Sequence, residues 1–239
     1  MLNSSKELSM LIIIDSRMPE TAIEKLQNFG TVFQLESFGT VYPSISGHPD
    51  IFMFQMEGLV IIAPNAPKSL IDTLKQHRIT FLKGKEKLGN KFPETTYYNV
   101  VSTPKYLIHK QDHSTSCILR HSANKKFFSV SQAYTRCNLL PLPDGSFMTS
   151  DKGIEKGLIA EGLEVHYFAP DDVILKGQDH GFLPGACGVF ENKVFFIGSL
   201  SQYADGARLR ELLESKGLSI EELYQGPMID GGGIFFLNS

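Results

Sequence analysis

The stretch "DIFMFQMEGLVIIAPNAPKSLIDTLKQ", Asp50 to Gln76, decides the fold because two hydrophobic periods meet in it. Two short apolar runs flank Glu57-Gly58, a turn pair that closes a hairpin. Pro-Asn-Ala-Pro then interrupts the chain, and Leu70, Ile71 and Leu74 recur at helical spacing. Apolar Ile79 to Leu82 follows as a return strand. The grammar is strand, turn, strand, helix, strand.

The same grammar recurs along the chain. "NVVSTPKYLIHKQDHSTSCILRH" from Asn99 repeats it, with Thr103-Pro104 as the turn, Asp112 as the expected helix N-cap and Phe127 to Val130 as the return. "CNLLPLPDGSFMTSD" from Cys137 turns at Pro143-Asp144-Gly145, opens its helix at Ser150-Asp151 and returns at Val165 to Phe168. "CGVFENKVFFIGSLSQYADGARLRELLESKG" from Cys187 turns at Glu191-Asn192 and ends its helix near Gly217. There the pattern changes, because "LSIEELYQG" reads as a second short helix. The chain ends complete one more unit. "GGGIFFLNS" offers a first strand at the C-terminus, and "LIIIDSRMPETAIEKLQNFGTVFQLE" offers the second strand, helix and return at the N-terminus.

Aligned at the strand entrances, Asp50, Asn99, Cys137, Cys187 and Gly233 fall in register, 49, 38, 50 and 46 residues apart. Such spacing is that of a repeat architecture, and a split repeat joins first and last strands into a ring. The expected fold is α/β: a five-bladed α/β propeller of ββαβ units around a pseudo-fivefold axis, closed by pairing of the N- and C-terminal strands. An all-β propeller is disfavoured by the 3.6-residue period after each hairpin. No domain boundary is visible, so residues 1–239 are expected to form one domain.

Composition bounds the class. With 42% hydrophobic and 21% charged residues the chain is an ordinary globular one. A formal charge of -3 argues against nucleic-acid binding, and the lysines between Lys83 and Lys91 read as a solvated loop. Three cysteines, an odd number without a secretion signal, suit a reducing cytoplasm. The apolar run Met10 to Ile14 is too short for a membrane span and reads as a buried strand. Oligomeric state stays open.

Five ββαβ units around an axis resemble the penteins, the guanidino-group-modifying superfamily of deiminases, dimethylarginine hydrolases and amidinotransferases. "SGHPDI" at Ser46, "CN" at Cys137, "SDKGI" at Ser150 and "HGFLPGACG" at His180 are similar to an uncharacterised bacterial family of that fold. The resemblance implies a nucleophilic cysteine after Gly-Gly-Gly-Ile on the last strand. Gly231 to Ile234 match, but Phe235 and Phe236 follow. It implies an acid/base histidine, for which His180 is the nearest match, and a carboxylate for the guanidinium, which Asp50 or Asp179 would supply.

In a closed ring the entrance residues face one mouth. Asp50, Asn99, Cys137 and Cys187 are therefore expected to converge, with His48, Arg136 and Asn138 beside them, on a small guanidino or amino-acid-like ligand. Two readings stay open. One is a C–N hydrolase or deiminase with Cys137 or Cys187 as a relocated nucleophile and His180 as acid/base. The other is a binding module in which both cysteines are small core residues. His113, Cys117 and His121 recur every four residues, yet three residues on one straight helix cannot surround a metal. The glycine run is followed by a strand and lacks the Lys-Ser/Thr of a phosphate loop. No metal or cofactor is expected.

Overall fold

The computed structural model describes residues 10–238. Residues 1–9 and 239, which the expected domain includes, lie outside the described residues.

The fold is α/β and built of many small sheets. Five of them share one topology, a first strand antiparallel to a second, then a helix, then a third strand parallel to the second. In the deciding stretch these are Met53–Met56, Leu59–Ile62, helix Lys68–Gln76 and Phe81–Lys83. The next unit is Val101–Ser102, Tyr106–His109, helix Ser116–His121 and Lys126–Ser129. Leu139–Pro141, Phe147–Thr149, helix Lys152–Ala160 and Val165–Tyr167 make a third. The fourth is Cys187–Phe190, Lys193–Phe196, helix Gly206–Ser215 and Ser219–Glu222.

The unit split between the chain ends is present as well. Phe235–Leu237 pairs antiparallel with Leu11–Asp15, Leu11 opposite Leu237 and Ile13 opposite Phe235. Helix Glu20–Leu26 follows, and Thr31–Leu35 returns parallel. A sixth, two-stranded sheet pairs Val173–Ile174 with Met228–Ile229. First strands neighbour one another: Met53–Met56 lies beside Val101–Ser102, that strand beside Leu139–Pro141, and Cys187–Phe190 beside Phe235–Leu237.

Leu11, Ile12, Ile13 and Ile14 are all fully buried, because strand alternation feeds two cores at once. Leu11 and Ile13 join Met53, Val60, Phe235 and Leu237 on one side. On the other, Ile12 and Ile14 join Leu26, Phe195 and Phe236. Among the described residues no helix is long and apolar enough to cross a membrane.

Two local expectations are corrected. "LSIEELYQG" forms the return strand Ser219–Glu222 and no helix. Its glutamates favour a helix weakly, but the strand seats them opposite cations: Glu221 meets Lys25 at 2.6 Å and Lys193 at 3.3 Å, and Glu222 meets Arg210 at 2.5 Å. Asp112 is no cap. It sits in a left-handed turn at φ 62°, and the helix starts after Thr115. His113 therefore precedes that helix, and only Cys117 and His121 share its face. Asp151 does cap, its Oδ1 accepting the Ile154 N–H at 2.8 Å.

Candidate functional site

Two of the strand entrances arrive as single helical turns rather than as extended chain. His48 leads into the turn Pro49–Phe52, started by a proline whose missing N–H costs nothing there, and Thr135–Asn138 forms the other. Asn99, from the unit between them, ties both together. Its Oδ1 accepts the backbone N–H of Arg136 at 2.7 Å and of Cys137 at 3.4 Å, while its Nδ2 donates to the Asp50 carbonyl at 3.3 Å. The carboxamide is thus engaged by backbone, in the manner of a cap supplied from a neighbouring unit.

Above these turns lies a cavity of 280 Å³, walled by Tyr42, His48, Tyr134, Cys137, His180 and Asp230 among others. The Tyr42 hydroxyl donates to that of Tyr134 at 3.1 Å, and Tyr134 is bonded in turn to the Thr95 hydroxyl at 2.5 Å. Asp179 and His180 stand at the rim, where among the described residues the His180 ring bonds only to the carbonyl of Gly181. Gln178 donates to Ser44 Oγ at 3.0 Å and so links the two loops over the cavity.

Asp230 lines the base of the cavity, and two more aspartates, Asp15 and Asp50, are buried behind it. His48 is buried between two carboxylates, with Nε2 3.8 Å from Asp15 and Nδ1 3.9 Å from Asp230. Burial pulls its pKa down, and the carboxylates oppose that shift. Asp15 is held by the Arg17 guanidinium and backbone N–H. Asp230 accepts the N–H groups of Phe182 at 2.9 Å and Gly232 at 3.0 Å. Its own pKa is raised by burial, with His48 and those two bonds pulling the other way.

Asp50 differs from both. It is fully buried, and neither carboxylate oxygen has a hydrogen-bond partner among the described residues. Burial, reinforced by Asp230, pushes its pKa up to about 8; Arg136, Asn99 and Cys137 nearby oppose the shift. The His48 Nε2 and Asn138 Oδ1 atoms are buried without partners too. Gly232 makes this crowding possible. At φ +69° it occupies backbone space that L side chains avoid, and a Cβ there would stand 2.4 Å from the His48 Cβ and 2.8 Å from Asp50 Oδ1.

The two axial thiols part company. Cys137 lies on the cavity wall, with Sγ 3.6 Å from Asn99 Oδ1, and burial together with Asp50 and Asp230 drives its pKa well above the ordinary thiol value. Cys187 is outside the cavity. It packs with Leu183 and Ala186 and donates to the Leu183 carbonyl at 3.0 Å; burial raises its pKa as well. Phe236 packs against Phe195 with ring centroids 4.8 Å apart.

So His48, Asp50, Asn99, Arg136, Cys137 and Asn138 come together, but of these His48 and Cys137 alone line the cavity; Asp179 and His180 reach its rim, and Cys187 stays in the core. Asp15 and Asp230 escaped the sequence reading. Their signals were an acid ending the wholly apolar run Leu11 to Ile14, and another directly before Gly231 to Gly233. Among the described residues no three His, Cys, Asp or Glu side chains converge as metal ligands do.

A family model described as Family of unknown function (DUF6873) matches residues 13–235. No curated protein matches the chain. Among solved structures, DDAH from Pseudomonas aeruginosa, complexed with citrulline, is similar at TM-score 0.53 and 10% identity, over 89% of this chain and 91% of that one. An amidinotransferase of the saxitoxin pathway from Microseira wollei gives TM-score 0.55 and 11% identity over 89% and 87%. Inosamine-phosphate amidinotransferase from Streptomyces griseus gives 0.52 and 13% over 86% and 75%. At such identities the likeness is one of fold, and that fold is the pentein fold.

Proposed function

Since the chain belongs to the Family of unknown function (DUF6873), we propose that it is a small-molecule binding protein that takes a guanidino or amino-acid-like cation at its acidic axial cavity. Residues 1–239 form one domain in this reading, with five units ringed about a pseudo-fivefold axis. The antiparallel pairing of the chain ends and the side-by-side first strands support it. Three free thiols suit a reducing cytoplasm.

The observation that carries the ligand class is Asp50, buried directly behind the His48, Ile51 and Cys137 wall of that cavity. A buried carboxylate with two unpartnered oxygens is costly unless something with paired N–H donors meets it, and a planar guanidinium does so through two parallel bonds. DDAH holding citrulline makes a ligand of that size a fitting one for this fold.

The test is calorimetric titration with L-arginine, agmatine and methylguanidine, with norleucine as the uncharged-side-chain control. At least one guanidino compound is expected to bind, and Asp50→Asn to weaken it by about tenfold or more. Because a cation favours the ionised carboxylate, affinity is expected to climb as pH rises toward the Asp50 value of about 8 and to level beyond it. Equal affinity in Asp50→Asn, or binding by none of the three, sinks the proposal.

The hydrolase reading keeps one observation in its favour, the shared cavity wall of Cys137, His48 and His180. It requires a thiolate. Site-resolved alkylation by iodoacetamide is expected to label half-exposed Cys117 first and both axial thiols only above the free-thiol midpoint of about 8.5. A Cys137 midpoint below that value, rising in His180→Ala, would instead favour catalysis.

A further inference from the structure

A second cavity, of 710 Å³, opens at the opposite ends of the first strands, where the hairpins turn. Its size is that of a small-molecule site. Val60, Val101, Leu140, Val189, Phe235 and Leu237 give its walls an apolar part, Gln55, Thr80, Ser102 and Asn238 a polar one, and one cationic side chain, Arg136, reaches into it.

Arg136 is built in rather than draped. Its backbone N–H is held by Asn99, and its guanidinium carbon lies 5.3 Å from the Phe235 ring centre. Gly233, at φ +82°, leaves room for it: a Cβ there would sit 3.0 Å from one terminal nitrogen. Of the five N–H groups a guanidinium carries, one is used, NH1 donating to the Pro184 carbonyl at 3.3 Å. Among the described residues no carboxylate lies within ion-pair distance of it, although Asp50 is close enough to be felt. A half-buried cation with idle donors, set against an aromatic ring at the wall of a cavity, is suited to meet an anion there.

The walls and mouth narrow the class. The apolar side chains beside Arg136, Phe235 and Leu140 among them, favour a ligand with an apolar body over a bare inorganic anion. Glu57 at the mouth disfavours a second negative charge on the ligand, while Lys125, bonded to Ser102 Oγ at 2.7 Å, stands near the same rim. We propose that this cavity is a second ligand site, for a monocarboxylate with a short apolar body, its carboxylate paired to Arg136. The site is lined by residues other than those of the acidic cavity and its ligand has the opposite charge, while Arg136 and Asp50 remain close enough to feel one another.

Sodium octanoate and octan-1-ol serve as probes, titrated into the full chain by calorimetry and followed by amide resonances. Octanoate is expected to saturate, to shift Gln55, Val101, Leu140 and Val189, and to bind about tenfold or more tightly than the alcohol. Arg136→Gln is expected to bring octanoate to the alcohol's level and leave the alcohol unchanged. Equal affinity of acid and alcohol for the wild-type protein overturns the proposal, as does octanoate binding unaltered in Arg136→Gln. So does a shift pattern confined to Tyr42, Tyr134 and His180. Should Arg136→Gln fail to fold, the acid-to-alcohol ratio in the wild-type protein decides alone.

Discussion

Removing residues 233–239 is expected to unfold the chain. Phe235, Phe236 and Leu237 are each under a tenth exposed and split between two cores, Phe235 and Leu237 with Leu11 and Ile13, Phe236 with Ile12 and Phe195. Burying three such side chains contributes on the order of 5 kcal/mol, comparable to the whole stability of many domains. The loss reaches further than that area. Without its partner, Leu11–Asp15 becomes an open edge, apolar from Leu11 to Ile14, and Gln55, whose side chain donates to the Phe236 carbonyl at 2.8 Å, loses a tie from the neighbouring unit. The truncated chain is expected to show no cooperative thermal transition at the wild-type temperature and no slow amide exchange at Leu11 to Ile14. Retention of both would mean that the N-terminal strand holds without its C-terminal partner.

The repeat was legible because both of its periods are local. Short apolar runs on either side of Glu57-Gly58 and a 3.6 period through Leu70 and Leu74 are written within a few residues, and the split unit followed from seeing half a grammar at each end. The return strand Ser219–Glu222 was not legible for the complementary reason. What makes it a strand is Lys193 in the adjacent strand and Lys25 in another unit, nearly two hundred residues away in sequence, and no local propensity carries that information. The site divides in the same way. Aligning the entrances brought Asp50 and Cys137 together, since equivalent positions in a repeat occupy equivalent places. It could not tell that Asn99 is occupied by the backbone of its neighbours, or that Cys187 points into Leu183 and Ala186, because a side chain's direction depends on whether an entrance is a helical turn or a strand. Asp230 was hidden by a different feature. Its meaning lies in His48 and Phe182, which only the fold brings to it.

Asp50→Asn is expected to make the protein more stable at alkaline pH while weakening the ligand. In the unfolded chain this carboxyl ionises near 3.9, whereas in the folded state burial holds its pKa at about 8. A group whose folded pKa is raised adds its full stability below the unfolded value and loses it as pH climbs through the folded one. Between about pH 4 and 8 the wild type therefore pays an increasing cost, on the order of 5 kcal/mol by the upper end, for a carboxyl kept neutral when the unfolded chain would ionise it. Asparagine has nearly the same shape and nothing to ionise. Asp230, also raised by burial, slopes the same way, and His48, lowered by burial, loses stability as pH falls; both are shared by the two proteins, so the difference reports Asp50 together with its coupling to Asp230. Urea unfolding at about pH 4.5, 6 and 8 should give a variant-minus-wild-type stability that climbs from about 1 kcal/mol at the first to several kcal/mol in the variant's favour at the last. Parallel pH profiles, or a variant weaker at pH 8, would show that Asp50 is already ionised and satisfied in the folded chain. A rising difference would mean that this position holds a costly carboxyl where a neutral amide packs better, the mark of a residue kept for its ligand.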